Sequence, residues 1–363
     1  MKWGIGLYTG QHPPSSPGSV SDAYAQIIAH AVEAERIGLD SIWLSEHHFA
    51  DDGYLPSLLP VAAAILARTK RLVVGTAVLL APFQHPIRLA EDVAVLDQLY
   101  PGRLVLGLGA GWRKREFSAF GFPIALRAAA VEDTVAILRA AWTGERFSYA
   151  GRYHQVDEVR VRPVPVTPGG PPIWLGGTGP RALERAGRLG DGYVGGPFPG
   201  AVDAFRRAVE NAPSERRATF SFGHLRAGFI AADADEAWRL AGSGMRYTRL
   251  VHARWAAEEQ VGGPDSVEVN DDEVRSYNFL GGPKQVIEEL TPLIQHLPLR
   301  DDCHVIVRLA HPFTPASAID AAIEAYGRTV VPALRNLDAN ANALRLDLLA
   351  GAADAAPTKP RAT

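Results

Sequence analysis

Three ionisable residues stand together at the end of a short apolar segment. Ser41-Ile-Trp-Leu-Ser45 has the length and composition of a buried β-strand, and Glu46, His47 and His48 follow it directly. Neighbouring residues on an extended strand point to opposite faces, so the two histidines are not expected to chelate one metal ion, and we predict no metal site. Histidine titrates near neutral pH, which suits proton transfer. We predict His47 as the catalytic histidine and Glu46 as its supporting carboxylate, with a structural role for His48 and, as the alternative, for His47.

A glycine-rich segment follows a later predicted strand. Gly107, Gly109 and Gly111 alternate as GxGxG, but Trp112 stands where a GxGxxG fingerprint would need its third glycine. The sequence therefore predicts no NAD-binding Rossmann domain. The glycines would nevertheless allow a cofactor to approach the backbone closely.

A second glycine-rich segment, residues 172–183, runs from a predicted strand through a turn into a helix that begins at Pro180. Backbone N–H groups of Gly177 to Arg181, the Thr178 hydroxyl and the helix dipole could hold one phosphate group, with Arg181 adding charge. A tight turn without a ligand is the alternative. One phosphate beside an apolar strand end favours a mononucleotide such as flavin.

These segments belong to an alternation of strands and helices. Aliphatic stretches alternate with amphipathic patterns eight times, which is typical of a (β/α)8 barrel, a fold that places its active site at the carboxyl ends of the strands. The predicted strands are 3–8, 41–45, 72–79, 104–108, 173–175, 192–194, 225–231 and 304–309. The predicted helices are 22–37, 57–68, 86–99, 124–141, 180–188, 201–210, 234–245 and 315–334.

Two segments depart from this alternation. Residues 142–171 are rich in turn formers, with Gly151 suited to close a small hairpin, and residues 246–282 break the rhythm. Both are predicted as insertions at the C-terminal mouth of a single barrel domain, residues 1–336. Residues 337–363 are predicted as a C-terminal extension whose end is mobile.

Composition excludes several classes of protein. With 40 acidic and 37 basic residues, the net charge of −3 gives little support for a nucleic-acid or membrane surface. Cys303 is the only cysteine, so no intrachain disulfide or cysteine-ligated cluster is possible. Since no signal peptide and no continuous membrane helix is recognised, a soluble cytoplasmic protein is expected.

Together, the motifs resemble the bacterial luciferase-like flavin-dependent monooxygenase family. The resemblance covers most of residues 1–195 and is general from about 196 to 336. It rests on the segments Trp43–Phe49, Gly75–Val78, His85–Leu99, Pro101–Leu104, Glu116–Gly121 and Ile173–Gly177.

The resemblance implies a (β/α)8 barrel with an insertion after a late strand, and a flavin beside His47. It further implies a non-prolyl cis peptide between Ala77 and Val78, behind the flavin ring. Bacterial luciferase has an arginine where Ala110 stands, so Arg181 or Arg113 would have to supply that charge to the phosphate. The implied cofactor-binding residues are Ala77, Val78, Gly109, Ala110, Trp112, Gly177, Thr178, Gly179, Pro180 and Arg181.

The implied activity is that of an FMN-dependent monooxygenase. Reduced FMN from a separate reductase reacts with O2 to give a C4a-peroxyflavin, which oxygenates a small organic substrate. Two alternatives stay open: a deazaflavin-dependent hydride-transfer oxidoreductase on the same barrel, and a non-catalytic flavin-binding protein. The Glu46–Phe49 and Ala90–Gln98 segments resemble the luciferase branch, which favours FMN.

The resemblance also implies a homodimer or higher homo-oligomer. The sequence does not identify the substrate. A stretch near residue 250 could line the substrate pocket, with an amphipathic surface helix as the alternative. Its candidate residues are Trp238, Arg246, Tyr247, His252 and Trp255.

Overall fold

A computed structural model describes residues 1–196, 200–258, 267–296 and 303–337. Eight parallel strands pair in chain order, and the eighth pairs with the first, Lys2 opposite His304, so the sheet closes. The predicted (β/α)8 barrel is therefore confirmed. The barrel strands are Lys2–Tyr8, Ser41–Leu44, Val73–Thr76, Leu104–Gly109, Ile173–Gly176, Gly192–Gly195, Ser221–Ile230 and His304–Arg308.

Helices surround this barrel. The main ones are Val20–Arg36, Leu58–Arg68, Pro86–Leu99, Arg127–Trp142, Pro180–Leu189, Ala201–Glu210, Ala234–Glu258, Pro283–His296 and Ala316–Ala325. Shorter helical segments are Lys114–Ala119, Ser214–Arg217, Asp271–Tyr277 and the π-helical turn Tyr326–Val330. No helix in the described ranges is long and apolar enough to cross a membrane.

The first helix shows how local sequence sets an element's ends. Ser19 and Asp22 form a capping box, in which the Ser19 hydroxyl accepts from the Asp22 N–H and the Asp22 carboxylate accepts from the Ser19 N–H. Gly38, at a φ of +85°, follows the helix, in a conformation that glycine adopts without strain. The helix consequently begins at Val20 rather than at residue 22.

Two stacked tryptophans fill the inside of the barrel. The rings of Trp43 and Trp174 lie 5.2 Å apart, and the His304 ring meets both edge-on. A Cβ atom at Gly75 would lie 2.2 Å from Cε3 of Trp43, so only glycine leaves room for that ring. Ala77 packs against the same cluster, so apolar side chains fill this part of the barrel interior.

The third predicted strand, 72–79, is interrupted. Val73–Thr76 belongs to the barrel, whereas Leu79–Leu80 pairs separately with the end of the fourth strand. A cis peptide joins Ala77 and Val78 between these two pieces. The chain thus turns inward where a continuous strand was predicted.

Residues 142–171 contain the predicted hairpin. Phe147–Ala150 pairs antiparallel with Gln155–Val159, and the Gly151 N–H donates to the His154 carbonyl. Its turn packs against helix Arg127–Trp142 through Asp133, whose carboxylate accepts from the N–H of His154. The hairpin lies on the outside of the barrel and contributes no residue to the cavity at the mouth.

The helix predicted to end at residue 245 continues to Glu258. Beyond Met245, the positions that line the cavity are Thr248, Arg249 and His252, none of them aliphatic, so the apolar periodicity ends before the helix does. This helix and Asp271–Tyr277 border the open end of the barrel. Apart from Leu337, the predicted extension 337–363 lies outside the described residues.

Candidate active site

A cavity of about 720 Å³ opens at the carboxyl ends of the strands. Helix Ala234–Glu258 contributes to one side and the strand ends to the other. The lining residues are Leu7, Ser45, His47, Tyr54, Ala77, Val78, Trp112, Gly176, Gly177, Thr178, Val194, Gly196, Leu225, Ala227, Met245, Thr248, Arg249, His252, Val274, Tyr277, Asn278, Arg308 and His311.

His47 lies in this cavity with a buried carboxylate behind its ring. Its Nδ1 donates to Oε1 of Glu116 at 2.9 Å, and the same oxygen accepts from the His48 backbone N–H at 2.8 Å. Since Nδ1 carries the proton of this bond, Nε2 holds the lone pair in the neutral ring. His47 is thereby arranged to accept a proton at Nε2.

Glu46 occupies a different position from the one predicted. Its Oε1 accepts from Nε2 of His48 at 2.8 Å, burial raises the pKa of the Glu46 carboxyl, and neither residue lines the cavity. The supporting carboxylate of His47 is therefore Glu116, which sequence reasoning missed. The interpretation of His48 as a structural residue agrees with this pairing.

Aromatic rings enclose His47. The ring centroids of Tyr54 and Trp255 each lie 4.9 Å from the His47 centroid, and the Trp112 ring lies 6.1 Å away. Arg113 stacks over Trp255 at 4.2 Å and donates to the His48 carbonyl. Arg113 is thus held in this aromatic wall, which leaves Arg181 as the other candidate named for a phosphate.

Ala77 and Val78 form an apolar part of the cavity wall. The Ala77–Val78 cis peptide that the resemblance implied is present. Val78 packs so closely on neighbouring strands that a Cβ at Gly109 would lie 2.3 Å from its Cγ2, and a Cβ at Gly176 would lie 2.8 Å from its Cγ1. These glycines make room for Val78, and the resulting surface suits a planar ring system. Of the predicted loop residues, Trp112 lines the cavity, whereas Gly109 and Ala110 do not.

The glycine-rich turn lies at the rim. Gly177 has a φ of +138°, and a Cβ there would lie 2.7 Å from Cβ of Ala182, so this position requires glycine. In the described part of the chain, no side chain caps the start of helix Pro180–Leu189, whose N-cap residue is Gly179. Its exposed N-terminus can therefore accept a phosphate group.

The predicted turn residues divide between the cavity and its rim. Gly177 and Thr178 line the cavity, whereas Gly179, Pro180 and Arg181 are exposed outside the lining. Arg181 makes no ion pair with any residue in the described part of the chain, so its charge is available to a ligand. The turn and the apolar surface of Ala77 and Val78 together fit a flavin or deazaflavin with a phosphate.

The candidate pocket residues near 250 have different roles. His252 lines the cavity, and Trp255 packs against His47. Tyr247 donates to Asp52, Arg246 pairs with Asp271, and Trp238 lies under Arg275.

Sequence reasoning also missed two lining residues, one at the end of the last strand and one just after it. Arg308 ends the eighth strand after three apolar residues, and His311 lies three residues further on. A charged residue at the end of an otherwise buried strand is the signal that could have identified Arg308.

Comparison with known proteins shows which family the chain belongs to. Residues 1–295 match the family model described as luciferase-like monooxygenase. The chain belongs to the luciferase-like monooxygenase family. The family resemblance drawn from the motifs is confirmed.

Two curated relatives of this luciferase-like monooxygenase chain have different named activities. An F420-dependent glucose-6-phosphate dehydrogenase of Nakamurella multipartita is 37% identical over 177 residues, covering 45% of this chain and 50% of the relative. The alkanal monooxygenase alpha chain of Photorhabdus laumondii is 30% identical over 190 residues, covering 52% of each. The chain thus spans about half the length of the curated relatives it matches.

A solved structure supports the luciferase-like fold over nearly the whole chain. The monooxygenase RslO1 from Streptomyces bottropensis superposes with a TM-score of 0.77 at 22% identity, covering 92% of this chain and 99% of RslO1. At that identity the likeness establishes the fold alone.

Proposed function

We propose that the protein is an oxidoreductase that transfers a hydride between a small organic substrate and an F420-type deazaflavin. Of the two relatives described above, the F420-dependent dehydrogenase has the higher identity, 37% against 30%. This comparison favours the deazaflavin alternative over the FMN-dependent monooxygenase that the motifs favoured.

The observation that carries the proposal is the His47–Glu116 pair in the cavity. Oxidation of an alcohol removes a hydride from carbon and a proton from oxygen, so it needs a base beside the substrate hydroxyl. Nε2 of His47 is the lone-pair nitrogen of a ring whose Nδ1 is bonded to Glu116. His47 is therefore the base that takes the hydroxyl proton.

The cofactor has a matching place. Ala77 and Val78 would support its ring, the Gly177–Thr178 turn would hold its phosphate, and Arg181 would add charge at the rim. When bound, the deazaflavin supplies the carbon that accepts or returns the hydride.

The remaining residues act on the proton and on water. The carboxylate of Glu116 stabilises the imidazolium that forms when His47 accepts the proton. Tyr54, Trp112 and Trp255 surround that ring and exclude water from it. In the reverse direction, the same Nε2 returns the proton to a carbonyl oxygen.

An FMN-dependent monooxygenase is the second candidate, because the alkanal monooxygenase alpha chain is also a relative. In that case O2 and a small organic substrate would share the cavity, with reduced FMN supplied by a separate reductase. The same wall and turn would hold FMN.

Cofactor titration separates the two candidates. We expect F420 to quench protein fluorescence with a Kd at least about tenfold below that of FMN. Oxidised F420 should then lose its visible absorbance when an alcohol substrate from a screen is added. Tight FMN binding, with O2 consumption and oxygenated product from reduced FMN, would instead establish the monooxygenase.

A variant isolates the role of His47. His47→Asn should lower kcat by about 10²-fold or more while the Kd for the cofactor changes little, because the base is lost and the wall and turn remain. Full turnover in this variant would remove His47 from the mechanism.

A further inference from the structure

Arg308 ends the eighth barrel strand with its side chain in the cavity and the residue only 6% exposed. Its Nε donates to the Ala310 carbonyl at 3.3 Å, and its Nη2 donates to the Thr248 hydroxyl at 3.4 Å. These two long bonds engage two of the five guanidinium N–H donors. Among the described residues, Arg308 has no ion-pair partner.

Nearby carboxylates are occupied elsewhere. Glu116 is bonded to His47, and Asp52 accepts from Gln11 and Tyr247. Within the described residues, no aspartate or glutamate lines the cavity. The described residues therefore give the positive charge of Arg308 no compensating negative charge in the cavity.

The cavity's second arginine differs in this respect. Arg249 pairs with Glu273 at 2.8 Å, and both side chains are more than two-fifths exposed. The pKa of neighbouring His252 is lowered to about 3. Burial is the largest cause, and the positive charges of His47, Arg308 and Arg249 add to it. Arg308 is thus the buried cation in a region already rich in positive charge.

Arg308 lies away from the phosphate turn. That turn follows the fifth barrel strand, and strands six and seven separate it from the eighth in the closed sheet. The Arg308 side lies next to the proposed base instead. Thr248, which bonds Arg308, stands one helical turn before His252, and the His252 ring lies 5.7 Å from the His47 ring.

We infer that the substrate carries an oxyanion group, a carboxylate, phosphate or sulfonate, that binds Arg308 while the reacting carbon lies beside His47. The inference rests on the proposed function, because that function places the substrate on this side of the cavity, beside His47. A buried charge without a partner is unfavourable, and an oxyanion would offset that cost through charge-assisted hydrogen bonds to the free donors. A neutral substrate would leave Arg308 unpaired.

Calorimetric titration of the full chain in Tris buffer tests the inference. The probes are inorganic phosphate, methanesulfonate and acetate, each added to protein saturated with the cofactor that it binds. At least one probe should bind with one equivalent, and the probe that binds most tightly identifies the class of oxyanion. Arg308→Gln should weaken that binding about tenfold or more.

Two further variants serve as controls. Arg249→Gln removes a charge from the same cavity but from an exposed pair, so it should weaken binding by about threefold or less. Arg308→Lys keeps the charge and should retain more affinity than Arg308→Gln. If Arg308→Gln is poorly folded, the probe should raise the melting temperature of the wild-type chain and of Arg308→Lys by clearly more than that of Arg308→Gln.

Several outcomes would overturn the inference. They are binding of no probe to the cofactor-loaded chain, equal affinity in Arg308→Gln, or a larger loss in Arg249→Gln. Failure of the proposed function is distinguishable, because it would appear in the cofactor titration as tighter binding of FMN than of F420 or as binding of neither. If neither cofactor binds, Gly177→Ala, which changes the shape of the phosphate turn, should still bind the probe through Arg308 in the cofactor-free chain.

Discussion

Nδ1 of His47 lies 2.9 Å from Oε1 of Glu116, although the two residues are 69 positions apart in the chain. The same oxygen accepts the backbone N–H of His48, so one carboxylate fixes both the ring and the chain that follows the second strand. Glu116 belongs to the short helix Lys114–Ala119 after the fourth strand. The orientation of the proposed base therefore depends on two separate loops of the barrel mouth.

Replacing Glu116 with glutamine should slow the reaction without displacing His47. The amide oxygen can still accept both N–H groups, but it lacks the negative charge that stabilises an imidazolium. We expect kcat to fall by about 10²-fold while the Kd for the cofactor stays within about threefold. Steady-state kinetics and fluorescence titration measure the two quantities.

Glu46→Gln is the matched control for this substitution. Glu46 is a buried carboxylate bonded to the other histidine, His48, and it does not line the cavity. Its replacement should lower kcat clearly less than Glu116→Gln does. A larger loss of kcat in Glu46→Gln than in Glu116→Gln would show that Glu46, not Glu116, supports His47.

The glycine-rich turn offers a paired test of phosphate binding. Gly177→Ala places a side chain at a φ of +138° and 2.7 Å from Cβ of Ala182, so the turn must change shape. Gly179→Ala adds a Cβ with nothing within 4 Å, at a φ of −75°. We expect the Kd for the cofactor to rise about tenfold or more in the first variant and about threefold or less in the second.

Fluorescence titration of both variants with F420 and FMN measures this difference. Equal affinities would show that the backbone of the turn does not hold the cofactor. A loss confined to Gly179→Ala would place the phosphate closer to the start of the helix than to Gly177.

Local patterns predicted the parts of the site that lie next to each other in the chain. His47 directly follows a strand, and Gly177 to Pro180 lie between a strand and a helix, so residue type and position were sufficient. Glu116 was not identified, because its partner is remote in sequence and the residues around it show no acid–base pattern. The fold thus determines which carboxylate meets which histidine.

The missed part of helix Ala234–Glu258 has a similar cause. Apolar periodicity marks a helix face that packs on a core, but here Thr248 and His252 face a cavity instead. The prediction therefore ended the helix at residue 245. A helix that lines a ligand cavity does not carry the hydrophobic signal of one that covers a core.

Substitutions at Gly75 and Trp43 should have strongly coupled effects on the free energy of unfolding. A Cβ at Gly75 would lie 2.2 Å from Cε3 of Trp43, whose side chain is fully buried inside the barrel. Gly75→Ala should lower the free energy of unfolding by about 2 kcal/mol or more. In the double variant with Trp43→Phe, the loss should be smaller than the sum of the single losses by at least about 1 kcal/mol.

Urea denaturation of the wild-type chain and the three variants measures this coupling. Simple additivity would mean that the backbone shifts to accept the added methyl group. The close contact between Gly75 and the Trp43 indole would then not determine the packing inside the barrel.

Buried neutral histidines should make the fold sensitive to acid. Burial lowers the pKa of His224, His252, His304 and His311 to about 3 each, whereas the pKa of histidine in an unfolded chain is about 6.5. Below pH ~6.5 the unfolded chain therefore binds more protons than the folded one. Stability is retained in full above pH ~7, and each histidine lowers it by up to about 1.4 kcal/mol per pH unit from ~6.5 down to ~3.

His224 allows this linkage to be tested at one site. Its ring is buried in the seventh strand, and neither ring nitrogen has a hydrogen-bond partner among the described residues. His224→Leu removes the titrating group at similar volume, so the stability lost between about pH 7.5 and about pH 5 should be smaller than in the wild-type chain by about 2 kcal/mol. Urea denaturation at both pH values measures it, and an equal loss in the two proteins would show that His224 is already protonated in the folded state.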